Sequence, residues 1–420
     1  MRRRPVDGAS ARSSLLRNRT FVRYWSGVVF SEIGSRATTA AVLYHAYLLT
    51  GSSLQVGVVG LFQALAVLVL SPIGGLVADR SDRRRVLQSA QALSFVASLS
   101  LAMLTFAGTV GMGHLYALTV VNTAASVFER PARDAIIPAL VDRADLTRAM
   151  SVINPSRELA TLAGPVLAGL LIVFWGPGAV YLVDAVTYLG LILVLATMRF
   201  DQQRASGARR GVLVEMSEGL VQMRKRPILV QLLALDIVAT VFGAYRVLLP
   251  ELSEILGVGA AGYGVLSSMP AAGALGGGVL LYRHVVGGGQ GRLVLRATAA
   301  YGVFCLLLAG AVGVSPSWIA VILALVGAAG AGASDVVATA IRHSVLHAET
   351  PDEVRGRVIA AYQIGSRGGP ALGSLHLGAV AAVAGPVLAL VYGGLVPIVV
   401  ASFLLVRGGS VRSYAMDLSE

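Results

Sequence analysis

Lys and Arg residues occur in every second connection between about twelve long apolar stretches that lie between residues 21 and 406. The six intervening connections contain neither residue type. They are residues 50–54, 107–114, 175–178, 251–262, 313–317 and 384–386. A helix that crosses a bilayer needs about 20 apolar residues, and loops rich in Lys and Arg stay on the cytoplasmic side. The alternation predicts a multi-pass protein of the plasma (inner) membrane with both termini cytoplasmic, and it places Arg342 in the loop after the tenth stretch.

The composition leaves little room for anything but membrane helices. The 420 residues are 55% hydrophobic and 13% charged, whereas soluble domains average about 25% charged residues. The net charge of +12 would suggest a nucleic-acid partner in a soluble protein, but here the cytoplasmic loops account for it, and we expect no such partner. A single cysteine, Cys305, cannot form an internal disulfide or a multi-cysteine metal site. We expect neither a metal nor a cofactor.

The chain is predicted to be an all-α membrane protein of twelve transmembrane helices in two pseudo-symmetric six-helix halves. The expected order is a cytoplasmic tail at 1–20, helices 1 to 6 at 21–198, a cytoplasmic linker at 199–226, helices 7 to 12 at 227–406 and a cytoplasmic tail at 407–420. The halves also share residues at an offset of 209: Arg148, Gly164, Gly176 and Pro177 recur as Arg357, Gly373, Gly385 and Pro386. Two parallel six-helix halves are typical of transporters that alternate access to a central cavity.

The loop between helices 2 and 3 carries a motif, GGLVADRSDRRRVL at residues 74–87. It resembles the signature G-x-x-x-D-R-x-G-R-R/K of the major facilitator superfamily. The matching residues are Gly75, Asp79, Arg80, Arg83 and Arg84. Asp82 stands where the broad consensus has Gly. The resemblance implies that this loop acts as an inner gate, in which Asp79 contacts an arginine of helix 4, here Arg130 or Arg133, and the start of helix 11.

Other segments resemble the drug-efflux branch of that superfamily, which includes the enterobactin exporter and the macrolide efflux proteins. These segments are residues 128–171, 244–252 and 350–358. In helix 5, Gly164, Pro165 and Gly169 resemble the antiporter motif, loosened from GPxxGG to GPxxxG. Pro165 removes a helix hydrogen bond, so it is either a hinge or an ordinary membrane-helix proline. The resemblance implies export of a small amphipathic molecule.

Ionisable residues inside membrane helices are costly and are functional candidates by default. Six form the predicted proton-coupling and substrate set: Glu32, Arg36, Arg157, Asp184, Asp236 and Arg367. The resemblance places helices 1, 4, 7 and 10 along the cavity, assisted by helices 5, 8 and 11. Glu32 either faces the cavity or forms a structural pair with Arg36. Asp184, in the usually peripheral helix 6, is the member expected to be structural.

The resulting hypothesis is a secondary transporter that exports a drug, siderophore or secondary metabolite in exchange for protons. Glu32 and Asp236 would carry the proton, and Arg157 and Arg367 would contact an anionic group of the substrate. The chain has no phosphate loop and no catalytic signature, so we expect no enzyme activity. The expected partners are the small-molecule substrate, protons and lipid, with the protein a monomer. Two alternatives stay open: a proton-coupled importer of a nutrient, and a membrane receptor or scaffold that transports nothing.

Overall fold

The structure is a computed structural model that describes residues 15, 17–80, 82–198, 212–284 and 289–414. The side chains of residues 72–80, 212–217, 284, 364–365 and 367 are not described. Within these ranges every regular element is helical. The predicted motif residues Gly75, Asp79 and Arg80, and the predicted substrate contact Arg367, therefore have no described side-chain environment.

Within the described ranges, twelve long helical spans follow one another, which confirms the predicted fold class. The first six are α1 (Arg19–Thr50), α2 (Ser53–Arg80), α3 (Arg83–Phe106), α4 (Met112–Leu140), α5 (Leu146–Trp175) and α6 (Pro177–Thr197). The next are α7a (Pro227–Phe242) and α7b (Leu249–Ile255), which together make the seventh, then α8 (Gly259–His284), α9 (Gln290–Ala311), α10 (Ser317–Ala348), α11 (Arg355–Ala384) and α12 (Pro386–Arg407). A linker helix, Val212–Arg224, precedes α7a.

Nine of these spans, judged over the described residues, are long and apolar enough to cross a membrane. The three that fall short are α1, α4 and α11. Each of the three contains several charged residues, and charge lowers mean hydropathy. The three least apolar spans, α1, α4 and α11, are therefore those in which ionisable residues are concentrated. Such groups in membrane helices mark functional positions.

Glycine–proline pairs join the last two helices of each half in the same way. Gly176 has a φ of +79° before Pro177, which begins α6, and Gly385 has a φ of +85° before Pro386, which begins α12. Glycine adopts positive φ at no steric cost, and proline at the first helical position gives up no intrahelical hydrogen bond. The repeated residues at an offset of 209 thus make the same turn twice.

The helices are grouped into two compact units. The first comprises Met1–Thr39 and Val69–Gly207, and the second comprises Ala40–Leu68 and Ala208–Glu420. In the first unit α3 packs against α4 and α6, and in the second α9 packs against α10 and α12, so the same helix neighbours recur. This grouping differs from the predicted halves in one place, because the end of α1 and the start of α2 lie in the second unit.

Polar and aromatic contacts hold this α1–α2 corner within the second unit. Tyr44 donates a hydrogen bond to Glu254, and the Ser53 hydroxyl donates to Glu251 at 2.5 Å. The rings of Tyr44 and Tyr263 stack with their centroids 5.0 Å apart. The two glutamates belong to α7b, so the short helix after the interruption in the seventh span anchors the corner.

Candidate functional site

A buried charge cluster lies within the first unit, between α1 and α4. Arg133 of α4 donates to Glu32 of α1 over 2.6 Å and also pairs with Glu129 one turn before it. The side chains of Arg133, Glu32 and Glu129 are 8%, 15% and 9% exposed. The Tyr24 hydroxyl donates to the backbone carbonyl of Arg133 at 3.1 Å. One arginine therefore balances two buried carboxylates, and we refer to Glu32, Glu129 and Arg133 as the first charge cluster.

Glu32 also joins this cluster to the more exposed Arg36, whose Nη2 lies 3.3 Å from the second Glu32 oxygen. Gly164 of α5 packs directly against that part of α1. A Cβ built on Gly164 would overlap the Arg36 Cβ, which real side chains do not tolerate. Pro165 and Gly169 are buried inside the same uninterrupted helix. The predicted antiporter-like motif thus lets α5 approach α1 beside the charge cluster.

A second charge cluster occupies the corresponding place in the second unit. Arg342 of α10 lies 2.8 Å from Asp236 of α7a, and the two side chains are 3% and 4% exposed. Ser366 of α11 donates a hydrogen bond to the other Asp236 oxygen. Arg342 also lies 3.8 Å from Asp335, whose side chain is 52% exposed, and donates to Thr339 at 2.8 Å. Asp236, Arg342 and Asp335 form the second charge cluster.

The two clusters share a design that the sequence interpretation missed. In each, a carboxylate on the first helix of a half pairs with a buried arginine on the fourth helix, and a further carboxylate lies on that fourth helix. Arg342 was expected in a cytoplasmic loop, and this prediction was wrong because α10 continues to Ala348. The signal was available, since Arg342 follows Arg133 by the same offset of 209 that relates the other repeated residues.

This arrangement can hold a charged carboxylate in the membrane interior by pairing it with an arginine. Protonation of the carboxylate would weaken that ion pair. A buried ion pair is costly to form but far costlier to break by removing one partner. Protonation removes the charge without removing the hydrogen-bonding group. Among the described residues, no cluster of three His, Cys, Asp or Glu side chains is placed to hold a metal ion.

The other predicted membrane charges are engaged elsewhere. Arg157 of α5 pairs with Asp134 at 2.5 Å. Asp184 of α6 is fully buried, and one of its oxygens accepts a hydrogen bond from the Ser98 hydroxyl at 2.8 Å. Its other oxygen, Oδ1, has no hydrogen-bond partner within the described part of the chain. Asp184 is therefore shielded from solvent, unlike the members of the two clusters that retain exposure.

The described part of the α2–α3 loop is held at several points. Asp82 accepts from the backbone amides of Arg84 and Arg85 at 2.9 and 3.2 Å, which caps the start of α3. Arg83 donates to the carbonyl of Ala135 at 3.0 Å, and Arg84 donates to the carbonyl of Ala196 at 2.8 Å. The departure from the family's Gly at position 82 thus gives the helix an N-cap that glycine cannot provide with a side chain.

The two arginines of α4 that were expected to contact Asp79 have different environments. Arg133 is occupied by the two carboxylates of the first charge cluster. Arg130 is exposed. The side chain of Asp79 lies outside the described residues, so its partner stays a prediction, and Arg130 is the candidate that is not already held in a buried ion pair.

Comparisons with known proteins identify the family of this chain. Residues 10–417 match the family described as Transmembrane secretion effector. The Enterobactin exporter EntS of Salmonella typhi is 25% identical over 379 residues, which cover 89% of this chain and 88% of the exporter. Macrolide efflux protein A of Streptococcus pyogenes is 23% identical over 224 residues, 53% of this chain. The chain spans about half, 55%, of the length of that relative.

Solved structures agree on the fold. The nucleoside transporter NupG superposes with a TM-score of 0.73 at 12% identity, covering 94% of this chain and 100% of NupG. A D-xylose-proton symporter superposes with a TM-score of 0.70 at 14% identity, covering 96% of this chain and 100% of the symporter. At these identities the likeness concerns the fold alone. The chain belongs to the Transmembrane secretion effector family of the major facilitator superfamily.

Proposed function

We propose that the protein exports a small amphipathic molecule, such as a drug, siderophore or secondary metabolite, in exchange for protons and by alternating access. The observation that carries the proposal is the pair of charge clusters, each built on a buried arginine of the fourth helix of a half. The names of the relatives, a macrolide efflux protein and an enterobactin exporter, support export as the direction. The proposal includes a monomer in the plasma membrane, both termini in the cytoplasm and no nucleic-acid partner.

The second charge cluster provides the coupling step. When Asp236 is ionised, it holds Arg342 through the 2.8 Å contact. When Asp236 is protonated, that attraction is lost and Arg342 turns to Asp335, which already lies 3.8 Å away. One proton thus exchanges one arginine contact for another without leaving a buried charge unpaired. A switch between two compensated states costs far less than one that strands a charge in the membrane interior.

The first charge cluster offers the same exchange in the other half. Glu32 is shared between Arg133 and Arg36, whereas Arg133 keeps Glu129. Protonation of Glu32 would leave Arg133 compensated by Glu129. It would also release Arg36, whose side chain is 40% exposed, to an incoming anionic group. We therefore assign Glu32 and Asp236 as the proton carriers.

The test is transport into inverted membrane vesicles across a panel of siderophores, macrolides and cationic dyes, with and without a proton gradient. We expect gradient-dependent accumulation of at least one compound and its loss in Asp236→Asn. Asp352→Asn is the matched control, because Asp352 is 82% exposed and, among the described residues, its ion pair is with Arg355, which is 40% exposed. Uptake in right-side-out vesicles driven by an inward gradient would instead show an importer. Gradient dependence that survives in Asp236→Asn would refute the coupling step.

The α2–α3 loop is proposed as the inner gate, on the motif match rather than on side-chain geometry. Asp79→Asn removes the charge that the gate requires, so we expect a marked loss of export. Asp82→Asn is the control, because asparagine caps a helix about as well as aspartate. Unchanged export in Asp79→Asn vesicles would show that the gate assignment is wrong.

A further inference from the structure

The seventh span is interrupted by a segment that the surrounding helices support. Helix α7a ends at Phe242, and a single 3-10 turn, Tyr245–Leu248, leads into α7b. The Tyr301 hydroxyl of α9 donates to the carbonyl of Gly243 at 2.5 Å, which satisfies a backbone group that the broken helix leaves open. A Cβ on Gly243 would overlap the Tyr301 ring. Non-helical backbone in a membrane span is tolerated only where such partners or water satisfy it.

The turn presents one side chain to solvent and buries the others. Tyr245, Val247 and Leu248 are 3%, 3% and 0% exposed, whereas Arg246 between them is exposed. The Arg246 guanidinium interacts electrostatically with Asp335 of α10. Asp335 lies near the middle of the 32-residue α10, so Arg246 reaches toward the membrane interior. A charge exposed at that depth faces water rather than lipid, because lipid exposure would be prohibitive.

Arg246 differs in its partners from three arginines of the membrane spans that were described above. Arg133 and Arg342 are buried in the two charge clusters, and Arg157 is held by Asp134 at 2.5 Å. None of the ion pairs between described residues includes Arg246, whose close polar neighbour is the Tyr245 phenol. The guanidinium presents a planar set of donors that matches a carboxylate or phosphate bidentately. A substrate anion would find this group exposed and outside the ion pairs that the described residues form.

We propose that Arg246 binds an acidic group of the transported molecule, and that the substrate class is therefore an amphipathic anion or zwitterion. Asp335, exposed beside it, accepts hydrogen bonds from a hydroxyl or amine of the same molecule. This inference rests on the proposed transport function and deepens it by naming the substrate's chemistry. It replaces Arg157 as the expected anion contact, because Arg157 already has a carboxylate partner.

The experiment compares aromatic carboxylic acids with their own carboxamides, which have the same shape and lack the charge. Both transport into inverted vesicles and equilibrium binding to the detergent-purified full-length chain are measured. The variants are Arg246→Gln and Arg246→Lys, with Arg292→Gln as a control because Arg292 is exposed at the start of α9. We expect the wild type to prefer at least one acid by about tenfold or more, since charge-assisted hydrogen bonds are the strong ones. Arg246→Gln should abolish the preference and Arg246→Lys should retain part of it.

The outcomes separate this inference from the proposed function. Preferential binding of acids that Arg246→Gln abolishes supports the anion site even if no proton-driven export is seen. Export with no preference for any acid over its amide overturns the anion site and leaves the transport proposal standing. An equal fall for acid and amide in Arg246→Gln also overturns it, because that is the behaviour of a structural arginine or of one that holds a lipid phosphate.

Discussion

The second charge cluster predicts that its two ion-pair partners are not equally costly to remove. Arg342→Gln leaves Asp236, which is 4% exposed, with no cation in ion-pairing contact among the described residues. Breaking a buried pair in this way costs about 3–5 kcal/mol. Asp236→Asn leaves Arg342 with Asp335 at 3.8 Å and with the Thr339 hydroxyl at 2.8 Å. Arg342→Gln should therefore be the more destabilising change.

The expected difference in stability between the two variants follows from the contact between Arg342 and Asp335, which remains in Asp236→Asn. Two unit charges about 4 Å apart interact by roughly 4 kcal/mol at an effective dielectric constant of 20. Asp335 is half exposed, so solvent screening reduces its share, and asparagine at position 236 keeps the volume and the hydrogen bond from Ser366. We expect Asp236→Asn to cost about half as much as Arg342→Gln, on the order of 2 kcal/mol. The double variant should be more stable than Arg342→Gln alone, because it leaves no charge stranded.

The assay is thermal denaturation of the purified protein in detergent, followed by the loss of monodisperse material. Only the rank order of the melting midpoints is compared between variants, because the unfolding of such a protein is governed by rates as well as by equilibria. Arg355→Gln, which removes an exposed ion pair with Asp352, should leave the midpoint unchanged. The reasoning is refuted if Asp236→Asn melts as low as Arg342→Gln, or if the double variant melts below both single variants.

Two further predictions concern packing and the buried carboxyl of α6. Gly273→Ala should destabilise the protein by about 1–3 kcal/mol, because the added Cβ would meet the Ala329 carbonyl of α10. Gly276→Ala is the control, since nothing lies within 4 Å of the Cβ that it adds. This control should be neutral or stabilising in the same melting assay. Asp184→Asn should keep the midpoint and the proton dependence of export, because Ser98 can donate to the amide oxygen and no buried charge remains. Loss of proton dependence in that variant would instead make Asp184 a coupling residue.

Several features could be read from the sequence because they are local. The span count follows from runs of apolar residues, and the expected topology follows from loop charge. The depth of Glu32 and Asp236 within their helices also follows from counting residues. The family was correctly identified from the motif at Gly75–Arg84, although the described side chains do not include most of that motif. The boundaries of the two halves stay a prediction. Contacts in the structure group residues 40–68 with the second unit rather than with the first.

The interrupted seventh span is a feature that local patterns did not reveal. The sequence predicts one continuous helix over residues 227–250 followed by a connection at 251–262, whereas α7b extends to Ile255. Gly243 is the only glycine before the turn. The interruption is supported by Tyr301, which is 58 residues away in the chain and donates a hydrogen bond to the Gly243 carbonyl. Arg246 was consequently not among the predicted site residues, although it lies in a segment that already resembled the efflux branch.

What the sequence determined by itself was the class of molecule: a twelve-helix membrane protein of the major facilitator superfamily whose interior carries charges. Only the tertiary structure decided which charged residues form ion pairs with each other. Glu32 and Arg133 are 101 residues apart, and the partner of Asp236 proved to be Arg342, a residue first assigned to a loop. The physical reason is that hydropathy and loop charge are properties of single segments. An ion pair in a membrane forms only when packing brings two helices together at the same depth, because only there does each charge compensate the other's loss of water.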